Sequence, residues 1–444
     1  MKNLLLTLVI LITFHFTSYS QRIKTARTLQ AAFETSAQQN KPLMLIIHHA
    51  VVKGNLVKNY NQPSLVYTNI RSEDLTERLN NNYINYTTHS ADSNLKTISS
   101  EIEVKSFPVY LFFRPNKNLY FRSYGYIKDK PTYMKMLDEV DQAYKKESIA
   151  DLEQVYLSDQ TNNNLIRKLI DQRKSLGYTN NSKYIDSYAT NLNVRDFNDY
   201  QTVLYILEAS PYSNGKAIKL AYLNKAIIDS IFKYEPISKR LDLNGRIIRN
   251  TMNEAIRTKD LGMAQSAANF SRYSWNKDYE KASRAYATEM LRFYSETKDT
   301  SNYFKLATPY YDRQYMIIKP DSLKKLIAYS SSNSSNINKD SISNILKNHS
   351  LSYSNDLAFV AMKFDHSGTK NTSYINKAIA WCNRAIEVNA FGSYYNTLAQ
   401  LQYKIGSYTD AIKNEQIAIR LIKKDRLNTR YFESQLKKMI DRTL

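Results

Sequence analysis

Two stretches decide the fold: Lys41-Pro-Leu-Met-Leu-Ile-Ile-His-His49 and Val104-Lys-Ser-Phe-Pro-Val-Tyr-Leu-Phe-Phe113. Each carries a continuous apolar run, the pattern of a strand buried on both faces. Outward from them, helix and strand patterns alternate. Residues 28–39 place Leu29, Ala32, Phe33 and Ala37 on one helical stripe. Residues 73–81 read as a helix and 83–88 as a strand. Asp92 suits the N-cap of a helix running to residue 102. The strands at 107–113 and 119–124 are split by Arg114-Pro-Asn-Lys117, a hairpin signal. Pro131 fits the first turn of a helix ending near residue 146. This order predicts an α/β sandwich.

Taken together, Lys41-Pro42 with its apolar strand, Val104-Lys-Ser-Phe-Pro108 leading another, and Tyr120-Phe-Arg-Ser-Tyr-Gly125 closing the hairpin resemble the thioredoxin-like superfamily. The likeness covers residues 25–147 and is to the exported bacterial type with a helical C-terminal extension. The resemblance implies a cis Phe107–Pro108 bond. It also implies a Cys-x-x-Cys pair at the start of a helix after the first core strand, and a buried acid within that strand. The two cysteine positions fall near Lys53 and Leu56, and the acid near Ile46, so all three groups are missing. Thiol–disulfide exchange needs an attacking thiolate and a second sulfur. Dithiol oxidoreductase and isomerase chemistry is thereby excluded, and no catalytic residue or cofactor is implied. What the resemblance leaves is a groove beside Phe107 and Pro108 that receives extended polypeptide by strand-like pairing.

Histidine offers a rival chemistry. His48 and His49 end one core strand and His89 ends its expected parallel neighbour. Adjacent strand residues point to opposite faces, so one of the pair can join His89, with Asp92 as a third ligand. A metal-binding or metal-dependent reading rests on those four residues; solvated or hydrogen-bonded side chains are the plainer one. The acids Glu101 and Glu103, and Asp138, Glu139 and Asp141, read as solvated surface, because general acid–base work needs a desolvated carboxylate.

From residue 149 onward strand alternation gives way to amphipathic helices. They are expected at 162–175, 182–192, 195–209, 216–233, 241–258, 261–274, 277–297 and 302–314, in the manner of stacked hairpins. Near the C-terminus, Ala378-Ile379 recurs as Ala411-Ile412 and Ala385-Ile386 as Ala418-Ile419. With Tyr395, Leu398, Ala399, Gly406 and Tyr408 between them, this resembles one tetratricopeptide repeat at 392–424 preceded by an irregular helix pair. Residues 330–344, rich in Ser and Asn, read as an exposed loop. The single cysteine, Cys382, falls where the repeat wants a buried side chain, and an inert packed thiol is expected there.

Residues 1–20 have the form of a cleavable signal peptide: Lys2, an apolar run from Leu4 to Phe16, then Ser18-Tyr19-Ser20. No cysteine follows the run, so a lipoprotein anchor is not expected. The mature chain should be periplasmic or secreted and without a transmembrane segment. One cysteine allows no internal disulfide. The net charge of +21 is spread with no run of five basic residues, which argues against nucleic acid and allows contact with acidic envelope glycan or lipid. The chain has only 9 glycines, and it lacks the glycine-rich phosphate loops and nucleophile elbows. The expected organisation is a signal peptide (1–20), a thioredoxin-like domain (21–147), a helical-hairpin array (148–350) and tetratricopeptide-like repeats (351–444). The expected role is redox-inactive protein or polypeptide binding.

Overall fold

A computed structural model describes residues 23–50, 52–53, 56–57, 72–275, 278–322 and 339–444. The expected signal peptide at 1–20 lies outside the described residues. The chain divides into two compact units, Met1–Thr251 and Met252–Leu444.

The first unit begins with a small mixed sheet. Its strands are β1 (Leu43–His48), β4 (Ile84–His89), β5 (Val109–Phe113) and β6 (Leu119–Tyr124), in the order β4-β1-β5-β6. β1 runs parallel to β4 and antiparallel to β5, and β5 pairs antiparallel with β6. β1 is central, which is why its apolar run is unbroken: Leu43 through Ile47 are all buried. On one face Met44, Ile46, Tyr110 and Phe112 pack under helices α2 (Glu73–Asn82) and α4 (Lys130–Tyr144) through Leu75, Leu79, Leu137 and Val140. On the other, Phe113 meets Phe33 of helix α1 (Leu29–Gln39) edge-to-face at 5.3 Å. Arg78 of α2 reaches Asp138 and Asp141 of α4 at 2.8 and 2.7 Å, and Tyr83 Oη donates to Asp141 at 2.7 Å. Asp138 and Asp141 are therefore ion-paired rather than merely solvated.

Between β1 and α2 the chain departs from expectation. Where a helix was implied, strand β2 (Val52–Lys53) pairs antiparallel with strand β3 (Leu56–Val57). The local sequence explains this. Val52 and Val57 are β-branched and favour extended backbone, and the sequence between the strands, Gly-Asn, is of the kind that joins paired strands. Asp92 caps a 3₁₀ turn (Ser93–Leu95) that continues into the short helix α3 (Lys96–Glu101).

Helices α5 (Ile149–Ser158), α6 (Asn163–Leu176), α7 (Ser182–Thr190), α8 (Tyr200–Glu208), α9 (Lys216–Ala221), α10 (Lys225–Tyr234) and α11 (Ile237–Thr258) follow. α5 was not read from the sequence, although Ser148 and Asp151 form a capping box at its start. The segment expected at 195–209 is divided by Asp199, which caps α8 through Thr202. That expected at 216–233 is divided where Asn224 caps α10 through Ile227.

The second unit contains α12 (Leu261–Tyr273), α13 (Tyr279–Glu296), α14 (Thr300–Tyr311), α15 (Lys339–His366), α16 (Thr372–Val388), α17 (Gly392–Lys404), α18 (Tyr408–Lys424) and α19 (Arg430–Ile440). Of the loop expected over 330–344, residues 330–338 lie outside the described residues and 339–344 belong to α15. Pro309 lies inside α14, and one π-helical turn (Asp312–Met316) follows it. Trp381 anchors the core with Phe304, Leu357 and Phe364, and its Nε1 donates to Asp312 at 3.0 Å. The repeated alanines Ala378, Ala385, Ala411 and Ala418 have no exposed surface. They sit where paired helices approach closely. Among the described residues no helix is long and apolar enough to cross a membrane.

Candidate functional site

The carboxyl ends of β1 and β4 and the chain entering β5 gather most of the residues singled out above. Open sheets with parallel strands commonly bind ligands at such an edge. Phe107–Pro108 is a cis peptide bond, Pro108 is buried, and Phe107 leads directly into β5. The His49 ring lies 5.9 Å from that of Phe107. Beside them is a cavity of about 320 Å³ with apolar walls from Ile47, Leu95, Ile98, Val104 and Phe107, and with Asp92 and Lys96 at its rim.

The loop before Pro108 is clamped at several points. Ile102 forms an antiparallel bridge with Tyr178, flanked by Glu103 N to Gly177 O at 2.9 Å and Thr179 N to Glu101 O at 3.1 Å. Arg122 donates to Ser175 O at 2.8 Å and to Glu103 O at 3.3 Å. The Arg246 guanidinium stands 3.0 Å from Glu103 Oε2. Glu103, read from sequence as solvated, is thus a structural anchor. These contacts hold one wall of the cavity through the end of α6 and through α11.

The positions that the thioredoxin-like resemblance assigned to lost redox groups lie as follows. Ile46 is fully buried in the core of β1. Lys53 and Leu56 are backbone partners in the β2–β3 pair. Cys382 is in the other unit, packed with Trp381 and Phe364, with no exposed surface. Burial, reinforced by the nearby Asp365 charge, pushes its thiol far above the usual range.

Of the two strand-end histidines, His48 is the one that joins His89. The two are partners on the last rung of the parallel pair. Burial, and secondarily the charge His89 would carry, lowers the pKa of His48. Asp92 is turned elsewhere: Thr88 Oγ1 donates to its Oδ2 at 2.5 Å, and Asn94 N and Nδ2 donate to its Oδ1 at 2.9 Å. Among the described residues no three His, Cys, Asp or Glu side chains converge on one point.

Two features escaped sequence reasoning. A larger cleft of about 1060 Å³ runs beside β6, α4 and α6. Its charges are largely engaged: Arg114 donates to Tyr144 O and Lys146 O, and Lys168 pairs with Glu147. The other is Glu415, fully buried on α18. Its signal was available, since the 33-residue offset that relates the repeated alanines also relates Glu415 to Cys382.

Comparison with family models, with curated proteins and with solved structures finds no match to this chain.

Proposed function

We propose that this chain is a non-catalytic, exported envelope protein in which a thioredoxin-like domain, followed by tetratricopeptide-like helices, holds an extended polypeptide beside Phe107–Pro108. The strand order β4-β1-β5-β6, with one parallel and two antiparallel pairings, supports the thioredoxin-like reading. The close-packed α17–α18 pair and its buried repeated alanines support the tetratricopeptide-like one.

The observation that carries the function is the apolar cavity next to Pro108, in a sheet with no sulfur at its redox positions. A cavity of that size takes one or two apolar side chains of an extended peptide, while backbone pairing supplies the remaining affinity. Asp92 and Lys96 at its rim offer one charge of each sign to flanking peptide residues. The array after the sheet adds further helical surface for a partner.

Fluorescence anisotropy with unstructured, dye-labelled peptides tests this reading. Peptides containing paired large apolar residues should bind with micromolar dissociation constants. Ser99→Trp, which crowds the cavity from an exposed wall position, should weaken them about tenfold or more at unchanged thermal stability. Equal binding by wild type and Ser99→Trp would sink the assignment.

A further inference from the structure

Among the described residues, three buried polar atoms at the end of the β1–β4 pair have no hydrogen-bond partner: His48 Nε2, His89 Nδ1 and Thr87 Oγ1. His48 and His89 share the last rung, and Thr87 shares a rung with Ile46 two residues earlier. Strand alternation puts all three on one face. A buried polar atom left unpaired costs about 1–3 kcal/mol, and folded proteins rarely leave one without an explanation. Three in one place call for a guest.

The nature of the atoms restricts that guest. A neutral imidazole has one N–H and one lone pair, so each histidine can offer one donor nitrogen to a cation. His49 lies on the opposite face, near Phe107, and the Asp92 carboxylate is occupied by Thr88 and Asn94. Two nitrogens are then the whole donor set among the described residues. Zinc takes four ligands, and divalent copper and nickel favour tetragonal arrangements. A monovalent d¹⁰ ion, by contrast, is satisfied by two nitrogens in line.

We propose that His48 Nε2 and His89 Nδ1 together bind one copper(I) ion at the carboxyl end of the parallel strand pair. The site lies on the opposite sheet face from Ile47, which lines the Pro108 cavity, so it does not depend on polypeptide binding there. Binding transfers no electron and changes no covalent bond; the ion accepts one lone pair from each ring.

The test uses the full chain without a histidine tag, titrated anaerobically with copper(I) against bicinchoninate as the competing chromophore. One equivalent should be withdrawn from the chelator. His48→Gln and His89→Gln should each weaken binding by at least about 100-fold, beyond the 10–100-fold that loss of a merely supporting residue costs. His49→Gln should leave it unchanged. Urea midpoints of the metal-free variants separate a lost site from a lost fold. Should a variant fail to fold, X-ray absorption of the wild-type complex decides. Two-coordinate copper with nitrogen ligands only supports the site, and sulfur ligation or a higher coordination number overturns it. Equal affinity in wild type and in either glutamine variant also overturns it.

Discussion

Cys382 and Glu415 stand 33 residues apart at the same position of successive helix pairs, and neither side chain has any exposed surface. One repeat fills this buried position with a thiol, a small and nearly apolar group that packs without penalty. The next fills it with a carboxyl group. Its neighbour is the Asn396 amide; only the amide orientation that places nitrogen toward Glu415 lets it donate to the two carboxyl oxygens, at 3.0 and 3.1 Å. The same place in the fold therefore sets two different chemical problems, and the protein answers each by withholding charge.

For Glu415, burial pushes the pKa up from 4.5 to about 8. The folded state then holds a proton that the unfolded state releases. The stability of the second unit is full below about pH 4.5 and falls as pH rises toward 8, with a slope approaching about 1.4 kcal/mol per pH unit. Glu415→Gln keeps the shape and removes the titration. Thermal melts from pH 5 to 8.5 should show the wild-type midpoint falling relative to Glu415→Gln, with the variant more stable at the alkaline end. Parallel curves would refute the shift.

For Cys382, the same burial makes the thiol unreactive. In native protein at pH 8, a thiol-specific chromophore should label it only at the rate of unfolding, and urea should release it fully. No disulfide-linked dimer should run on a non-reducing gel. Cys382→Ser places an unpartnered hydroxyl in the Trp381–Phe364 core and should cost about 1–3 kcal/mol. Rapid native labelling would contradict this placement.

The contact between Arg246 and Glu103 supports a third expectation. Their side chains are only 18% and 23% exposed, so solvent screens them less than an ordinary surface pair. Arg246→Met should cost about 1–3 kcal/mol, because it leaves Glu103 half-buried without its cation. A double-mutant cycle with Glu103→Gln should show coupling of about 1 kcal/mol. Because the pair anchors the loop before Pro108, hydrogen exchange at residues 102–107 should quicken in Arg246→Met. Unchanged exchange there would mean that the bridge of Ile102 to Tyr178 holds the loop without it.

Much of this was legible because the sequence signals are local. The unbroken apolar run of β1 marks a strand covered on both faces, and the turn at Arg114–Lys117 fixes the hairpin beside it. Thr28, Asp129 and Ser72 cap their helices as their side chains would suggest. What stayed hidden depends on tertiary context. Nothing local says that Glu103 meets a guanidinium 143 residues away, or that Asp138 and Asp141 face Arg78. The choice of His48 over His49 needed the rung register, which pairs His48 with His89. The pairing of β2 with β3 was hidden because the resemblance to the thioredoxin-like pattern outweighed the Gly-Asn pair that the sequence carries between them.

Two glycines of the α17–α18 pair test the packing from different directions. Gly392 has ordinary backbone geometry, but a Cβ there would lie 2.7 Å from Ile422 Cγ1 and 2.9 Å from Ala418 O. Gly406 has open space around it but φ of +82°, a conformation that L side chains rarely adopt. Gly392→Ala should therefore cost about 1–3 kcal/mol by overpacking. Removing Cγ1 with Ile422→Ala should recover little of this cost in a double-mutant cycle, because the Ala418 carbonyl belongs to the backbone and cannot move aside. Gly406→Ala should cost about 1 kcal/mol for a different reason, and Gly406→Asn less, since asparagine tolerates the left-handed region. Urea unfolding of the four variants separates the two causes. If Ile422→Ala abolished the cost of Gly392→Ala in that cycle, the close approach of α17 to the α18 backbone would be wrong. If Gly406→Asn were as damaging as Gly406→Ala, the cost at Gly406 would lie in something other than its backbone conformation.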